Sequence, residues 1–267
     1  MLDNTAVTVA RGVPDSLIVT RARGEDRIIV SGTMSASAPA ETTILSVRSP
    51  ATHFLHALKV RLAARGITTG GALRTGRATG QVFLGQIVRP LAPVLRRTNA
   101  MSDNLAAESL LKVIAADLHG GPGSADDGLE AVGAYLAGTG SAPHSMIRAD
   151  GSGVSWYNAI APDDVIAVLR DQYSRQSTFD AYYRSLALAG FDGTLESRMG
   201  ETAASGRVRG KTGTLTGVSS LSGYATTLAN ERLAFCIVIN HFPGSVRLLR
   251  SWQDALLADL VRLAPAR

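Results

Sequence analysis

Two short segments of this chain carry the residue types that proton transfer needs. The first is Ser102-Asp103-Asn104, and the second is the run RGKTGTLTGV at residues 209–218, which contains Lys211. Lysine is scarce, since only three of the 27 basic residues are lysines. An ammonium group is a compact charge that can exchange protons in a confined site, whereas a guanidinium stays protonated. We therefore interpret Lys211 as a candidate proton-transfer residue, in preference to a solvated lysine before a tight glycine turn.

The composition predicts a globular protein with ample material for a core. The 267 residues are 45% hydrophobic with a mean hydropathy of +0.11, which suits one large domain or two smaller ones. The net charge of +5 comes from scattered arginines without interleaved aromatic residues, so we do not expect nucleic-acid binding. Weak attraction to anionic envelope polymers is the alternative. The single cysteine, Cys236, lies in an apolar run and is predicted to be a buried strand residue.

Signals for export, membrane insertion and metal binding are missing from the sequence. Residues 1–5 have neither a basic nor an apolar region, so we expect no signal peptide in this chain. No stretch approaches the roughly 18 apolar residues of a membrane span. His53 and His56 lack a cluster of further ligands, which is typical of solvated histidines. We expect no membrane span, no metal and no cofactor.

The first part of the chain predicts a β-rich segment followed by helices. Residues 1–48 contain three runs of alternating apolar and polar residues between Gly, Pro and Asp turns, which is typical of a small β module. Apolar residues at helical spacing predict a helix over 51–65. A short strand is predicted over 81–88, before a helix that begins at Pro90 and leads to the Ser102 segment.

The remainder predicts further helices and then a set of strands. Apolar residues at helical spacing over 104–114 follow the polar residues 102–104 and predict a helix. A plain helix N-cap is therefore the alternative interpretation of residues 102–104. Helices are also predicted after Ser124 and from Pro162. Three strand runs with short links follow at 206–214, 218–227 and 232–240. An amphipathic helix over 246–263 completes the pattern, and a helix packed on one face of an antiparallel sheet indicates an α+β fold.

The local patterns resemble the class C low-molecular-mass penicillin-binding proteins, the D-alanyl-D-alanine carboxypeptidase/endopeptidase family. The patterns are TNAMSDNLAAESLLK, DGSGVSWYN, LAGFDGTLESRM and GKTGTLTGVSSLSGY, and they occur in the family's order. The similarity runs from about residue 17 to the end. At Trp156 the sequence departs from the family, which usually has a basic residue there.

The resemblance implies a β-lactamase/transpeptidase-like fold, in which an antiparallel sheet with helices carries an inserted β-rich module. Residues 1–48 resemble a remnant of that module, and residues 49–267 resemble the carboxy-terminal part of the transpeptidase-like domain. The family places its first strands and the helix bearing a Ser-x-x-Lys nucleophile before these parts. We therefore expect an incomplete fold and a chain that is the carboxy-terminal portion of a longer protein.

The resemblance also implies catalytic roles. In the family a serine activated by a lysine attacks the carbonyl between two D-alanines and forms an acyl-enzyme. Ser102 would relay a proton toward the leaving amine, and Asn104 would hydrogen-bond the substrate's side amide. Lys211 would act on the Ser102 hydroxyl electrostatically and attract the substrate carboxylate.

Substrate binding is implied for the residues that follow this lysine. The Thr212 and Thr214 hydroxyls would help to hold the carboxylate. Gly213 would let the peptide lie alongside the strand, because a side chain there would block close approach. The backbone N–H of Thr214 would form one half of the oxyanion hole.

No credible nucleophile is found in the sequence. The only Ser-x-x-Lys is Ser109-Leu-Leu-Lys112, which lies inside the helix that the Ser102 segment opens. A nucleophile at a helix start benefits from free backbone N–H groups and from the helix dipole, and Ser109 has neither. We interpret these two as ordinary helix residues and expect this chain to be inactive alone.

The expected partners and location follow from the resemblance. They are peptidoglycan stem peptides ending in D-Ala-D-Ala, β-lactams for the complete enzyme, and the periplasm or cell envelope. One alternative is a non-catalytic remnant that binds peptidoglycan peptides or a partner. The other is a β-lactamase, which the β module and the Asp-Gly-Ser-Gly run disfavour.

Overall fold

The computed structural model describes residues 1–76, 82, 87–140 and 146–264. The chain divides into two compact units, Met1–Gly85 and Gln86–Arg267. The boundary proposed after residue 48 thus falls inside the first unit, because a helix that follows it is grouped with the strands before it. The strand predicted over 81–88 lies largely outside the described residues.

The first unit contains short strands and one helix. Its strands are β1 (Leu2–Asn4), β2 (Val7–Val9), β3 (Ile18–Arg21), β4 (Ile28–Ser31) and β5 (Thr33–Ser35). β4 pairs in parallel with β1 and antiparallel with β3, while β2 pairs in parallel with β5. Helix α1 (Pro50–Ala63) begins behind Ser49, whose hydroxyl accepts a hydrogen bond from Thr52 N at 3.3 Å. No described residue of this unit is buried.

The second unit begins with helices whose ends follow from local signals. They are α2 (Leu91–Asn99), α3 (Asn104–His119), α4 (Ala125–Gly138), α5 (Pro162–Ser174) and α6 (Gln176–Ser185). Ser124 caps α4 by accepting from Asp127 N, and Pro162 occupies the first turn of α5. Helix α3 ends at Gly120, which adopts the left-handed conformation with φ of 69°. The sequence missed α6.

A four-stranded antiparallel sheet closes the unit. Its strands are β6 (Ala187–Leu188), β7 (Val208–Leu215), β8 (Val218–Thr226) and β9 (Arg232–Asn240), in that spatial order. A 3₁₀ turn (Gly193–Leu195) lies between β6 and β7, and helix α7 (Val246–Val261) follows β9. The three long strands lie within two residues of their predicted bounds, whereas β6 is too short to leave a sequence pattern.

The sheet is covered on both faces. Leu257 and Val261 of α7 pack in one buried cluster with Leu221 and Phe235 of the sheet. A second cluster joins Tyr224 of β8 to residues of α5 and α6, and the Tyr224 hydroxyl donates to the Leu169 carbonyl at 2.6 Å. This arrangement is the predicted helix-on-sheet architecture. None of the described helices has the length and apolar character needed to cross a bilayer.

Candidate functional site

Lys211 and Ser102, 109 residues apart in sequence, meet at the sheet edge. Lys211 lies on β7, and its Nζ donates to Ser102 Oγ at 2.6 Å and to the Thr212 carbonyl at 2.6 Å. Burial lowers the pKa of Lys211, because removal from water disfavours the charged ammonium. A lysine with a lowered pKa beside a hydroxyl can give and take a proton more readily than a solvated one.

The loop before α3 holds Ser102 in an uncommon backbone conformation. Ser102 has a φ of 55°, a left-handed value that costs a non-glycine residue roughly 1–2 kcal/mol. The capping role falls to Asp103, whose carboxylate accepts from Ala106 N at 2.9 Å and from Arg97 Nε at 2.5 Å. These two contacts hold the pKa of Asp103 below its usual value. Because Asp103 caps the helix, the Ser102 hydroxyl is free to contact Lys211.

The 3₁₀ turn connects this loop to β7. Thr194 N donates to the Ala100 carbonyl at 2.9 Å, and a Cβ on Gly193 would lie 2.4 Å from that same oxygen. Thr212 Oγ1 in turn donates to Thr194 Oγ1 at 2.9 Å. Thr194 therefore contributes to the site, although the sequence showed it only as part of the run LAGFDGTLESRM. The turn brings the Ser102 loop and β7 together through one backbone and one side-chain hydrogen bond.

Past its short pairing with β6, one edge of β7 has no partner strand among the described residues. β6 pairs with Arg209 and Gly210 only, and Ala189 N donates to the Val208 carbonyl on this side. Main-chain groups alternate in direction along an antiparallel strand, so those of Thr212 and Thr214 point to the same edge. The Thr214 N–H thus lies where a peptide could pair with β7.

A pocket of about 370 Å³ lies beside this edge. It is lined by residues that carry a hydroxyl or a guanidinium, namely Ser102, Thr194, Arg198, Thr212, Thr214 and Arg250. Arg250 Nη2 donates to Thr214 Oγ1 at 3.0 Å. A larger, apolar pocket of about 570 Å³ lies among the helices, but it includes neither Ser102 nor Lys211. The smaller pocket is therefore the one that adjoins the proton-transfer pair.

Asn104 and Gly213 are placed differently from the other candidates. Asn104 is the first residue of α3, is exposed, and does not line the pocket in the described structure. A Cβ on Gly213 would lie 2.3 Å from Ser220 Oγ on β8, so the space at this glycine is taken by a neighbouring strand. Their substrate roles stay predictions.

The only Ser-x-x-Lys is not arranged for nucleophilic attack. Ser109 is exposed on α3, and its Oγ donates to the Leu105 carbonyl at 2.7 Å. A serine bonded back to its own helix has its proton engaged by a carbonyl, which does not activate it. Across the described residues, no group of three or more His, Cys, Asp or Glu is positioned to hold a metal.

Comparisons with known proteins identify the family to which the chain belongs. The profile of the D-Ala-D-Ala carboxypeptidase 3 (S13) family matches residues 1–258. A D-alanyl-D-alanine carboxypeptidase from Actinomadura sp. (strain R39) is 34% identical over 273 residues, which cover 98% of this chain and 50% of the relative. The D-alanyl-D-alanine carboxypeptidase DacB of Haemophilus influenzae is 32% identical over 165 residues, covering 61% of this chain and 34% of the relative. The chain thus spans half or less of the length of these two relatives.

A solved structure shows the same fold. Penicillin binding protein 4 (dacB) from Haemophilus influenzae superposes with a TM-score of 0.78 at 24% identity, over 98% of this chain and 64% of that one. The α+β, β-lactamase/transpeptidase-like fold predicted from the sequence is therefore confirmed.

Proposed function

We propose that this chain, which belongs to the D-Ala-D-Ala carboxypeptidase 3 (S13) family, forms the proton-transfer and peptide-binding side of a serine-type D-Ala-D-Ala carboxypeptidase site. The contact between Lys211 Nζ and Ser102 Oγ at 2.6 Å carries the proposal. Two residues so distant in sequence, one half-buried with a lowered pKa and one in a left-handed conformation, are typical of a functional site.

The substrate is a peptidoglycan stem peptide that ends in D-Ala-D-Ala. It pairs with the unpaired edge of β7, where the Thr214 N–H can donate a hydrogen bond to the carbonyl oxygen of the scissile bond. During acylation a serine oxygen bonds to this carbonyl carbon, and the bond to the terminal D-Ala nitrogen breaks. The attacking serine gives its proton to its activating lysine, while Ser102 gives its proton to the leaving nitrogen and regains one from Lys211, which becomes neutral. β-Lactams would react by the same acylation, and the site would operate in the periplasm or cell envelope.

The nucleophile is the one part that the described residues do not supply. Ser109 donates its proton to a helix carbonyl, so the only Ser-x-x-Lys does not fit the role. We therefore propose that this chain alone binds the peptide without forming an acyl-enzyme. This observation also favours the second candidate function, a non-catalytic module that binds peptidoglycan peptides.

Incubation with a fluorescent penicillin tests the proposal. Loss of the nucleophile in comparable enzymes lowers turnover about a millionfold, so no label is expected on a denaturing gel or by intact mass. Binding of an N-acylated peptide ending in D-Ala-D-Ala is measured in parallel by NMR. It is expected for the wild type and for Ser109→Ala, and weakened in Lys211→Met.

Two results would contradict this assignment. A chain that binds no D-Ala-D-Ala peptide would remove the proposed binding site. Stoichiometric labelling by the penicillin would show that the chain has its own nucleophile, and peptide mapping would then identify it as Ser102, Ser109 or another serine.

A further inference from the structure

Arg198 and Arg250 line the pocket beside β7, and Lys211 is hydrogen-bonded to another lining residue, Ser102. Two of these three cations are already engaged. Lys211 Nζ donates to Ser102 Oγ and to the Thr212 carbonyl. Arg198 forms an ion pair with Asp254 of α7 at 2.6 Å, and both side chains are largely buried. A buried guanidinium whose charge is balanced by a carboxylate contributes little further attraction to a ligand.

Arg250 is the cation that remains available in the described pocket. It lies on α7 one turn before Asp254 and is exposed. No carboxylate oxygen of the described residues lies within 4.0 Å of its guanidinium, which donates a hydrogen bond to Thr214 Oγ1 at 3.0 Å. A guanidinium has five N–H donors, so the group keeps donors for an anion.

The helix that carries Arg250 is held in place by its neighbour. Arg198 Nη2 donates to the Arg250 carbonyl at 3.3 Å and to Gln253 Oε1 at 3.1 Å, in addition to Asp254. Arg198 therefore fixes this turn of α7 against the pocket. The Arg250 backbone is positioned even though its side chain reaches solvent.

We propose that Arg250 binds the terminal carboxylate of the substrate peptide, together with the Thr214 hydroxyl. Thr214 Oγ1 accepts from Arg250, which leaves the hydroxyl proton to donate to a carboxylate oxygen. The guanidinium fork matches a carboxylate in a two-point contact. Thr212 contributes less than its position suggests, because its hydroxyl donates to Thr194. This inference rests on the proposed function and identifies the residue that selects a free carboxyl terminus.

The test compares two ligands that differ in one charge. An N-acylated peptide ending in D-Ala-D-Ala and the same peptide with a terminal carboxamide are titrated into the whole chain, and their dissociation constants are measured by NMR. A charge-assisted hydrogen bond contributes about 1.5–3 kcal/mol, so we expect the wild type to bind the free acid at least about tenfold more tightly. Arg250→Gln should lose this preference while its affinity for the amide is unchanged.

Arg247→Gln is the matched control. Arg247 lies one turn earlier on α7, is exposed and does not line the pocket, so the same change of charge should leave the acid preference intact. Equal affinity of the wild type for acid and amide would overturn the role of Arg250 while leaving peptide binding in place. An unchanged preference in Arg250→Gln would also overturn it. Binding of neither peptide would remove the proposed function as well.

Discussion

The partial burial of Lys211 costs stability but favours proton transfer. Its ammonium is partly removed from water and has the Ser102 hydroxyl and the Thr212 carbonyl as hydrogen-bond acceptors. Both are neutral, so they only partly replace the lost hydration of the charge. The lowered pKa of Lys211 is the result. A lysine of this kind destabilises the fold while charged and exchanges protons more easily.

The titration of Lys211 should be visible directly. The chain has only three lysines, so ¹⁵N-lysine NMR should give three Nζ signals, and Lys211→Met identifies the relevant one by its loss. We expect its midpoint below the ordinary value of 10.5. A midpoint at or above that value would contradict the buried position of this ammonium.

The same lowered pKa predicts how stability changes with pH. Between the folded-state pKa of Lys211 and its unfolded value, the unfolded chain binds more protons, so the free energy of unfolding rises with pH. This contribution is absent in Lys211→Met. The free energy of unfolding in urea should be measured for both proteins at several pH values in this window. We expect the value for the wild type to rise relative to that of Lys211→Met as the pH increases.

At the scale of elements, the pairing of β7 with β8 depends on close backbone approach. Gly223 of β8 pairs with Gly210 of β7. A Cβ on Gly223 would lie 2.1 Å from the Arg209 carbonyl oxygen and 2.7 Å from Gly210 Cα. Both are backbone atoms of the strand that carries Lys211, so the clash cannot be relieved by rotating a side chain.

Gly223→Ala should therefore shift β7 against β8. We expect the free energy of unfolding to fall by about 3 kcal/mol, as is typical of overpacked buried sites. The control is Gly217→Ala in the turn between these strands, where φ is 68° but no atom lies within 4 Å of the added Cβ. That change should cost only about 1 kcal/mol through backbone strain. Similar losses in urea unfolding would show that the strand contact is unimportant.

At the scale of the whole molecule, the two units differ in how much they bury. Every buried apolar residue of the described chain lies between Ala100 and Val261. The first unit has short strands and a helix, but no buried side chain among its described residues. Burial of apolar surface is the main favourable contribution to folding, so the second unit should be the more stable one.

Limited proteolysis should separate the two units. Trypsin is expected to cleave at exposed arginines such as Arg11 and Arg23 well before it cleaves in the sheet of the second unit. Mass spectrometry of the fragments over time gives the order of cleavage. Amide hydrogen exchange provides an independent check, with slow exchange expected in β8 and fast exchange in β2. Equal protection of these two strands would contradict this difference in stability.

The sequence by itself determined the elements that have a strong local pattern. Runs of strand-forming residues joined by short links predicted β8 and β9, Ser124 and Pro162 marked the starts of α4 and α5, and the Lys211 run pointed to the family. These features depend on interactions between residues close in sequence, so they can be recognised without the fold. β6 and α6 were missed because the first has only two residues and the second follows α5 without a turn signal.

Only the tertiary structure decided which side chains surround the pocket. An arginine at 250 has no local signal in a chain with 27 basic residues, and Thr194 lies in a short turn. Their positions depend on the packing of α7 and of the 3₁₀ turn against β7. The left-handed φ of Ser102 likewise depends on the contacts of its neighbours. Asp103 accepts a hydrogen bond from Ala106 N in α3, and the Ala100 carbonyl accepts one from Thr194 N in the 3₁₀ turn. Proximity across 109 residues is a property of that packing, which no local sequence pattern contains.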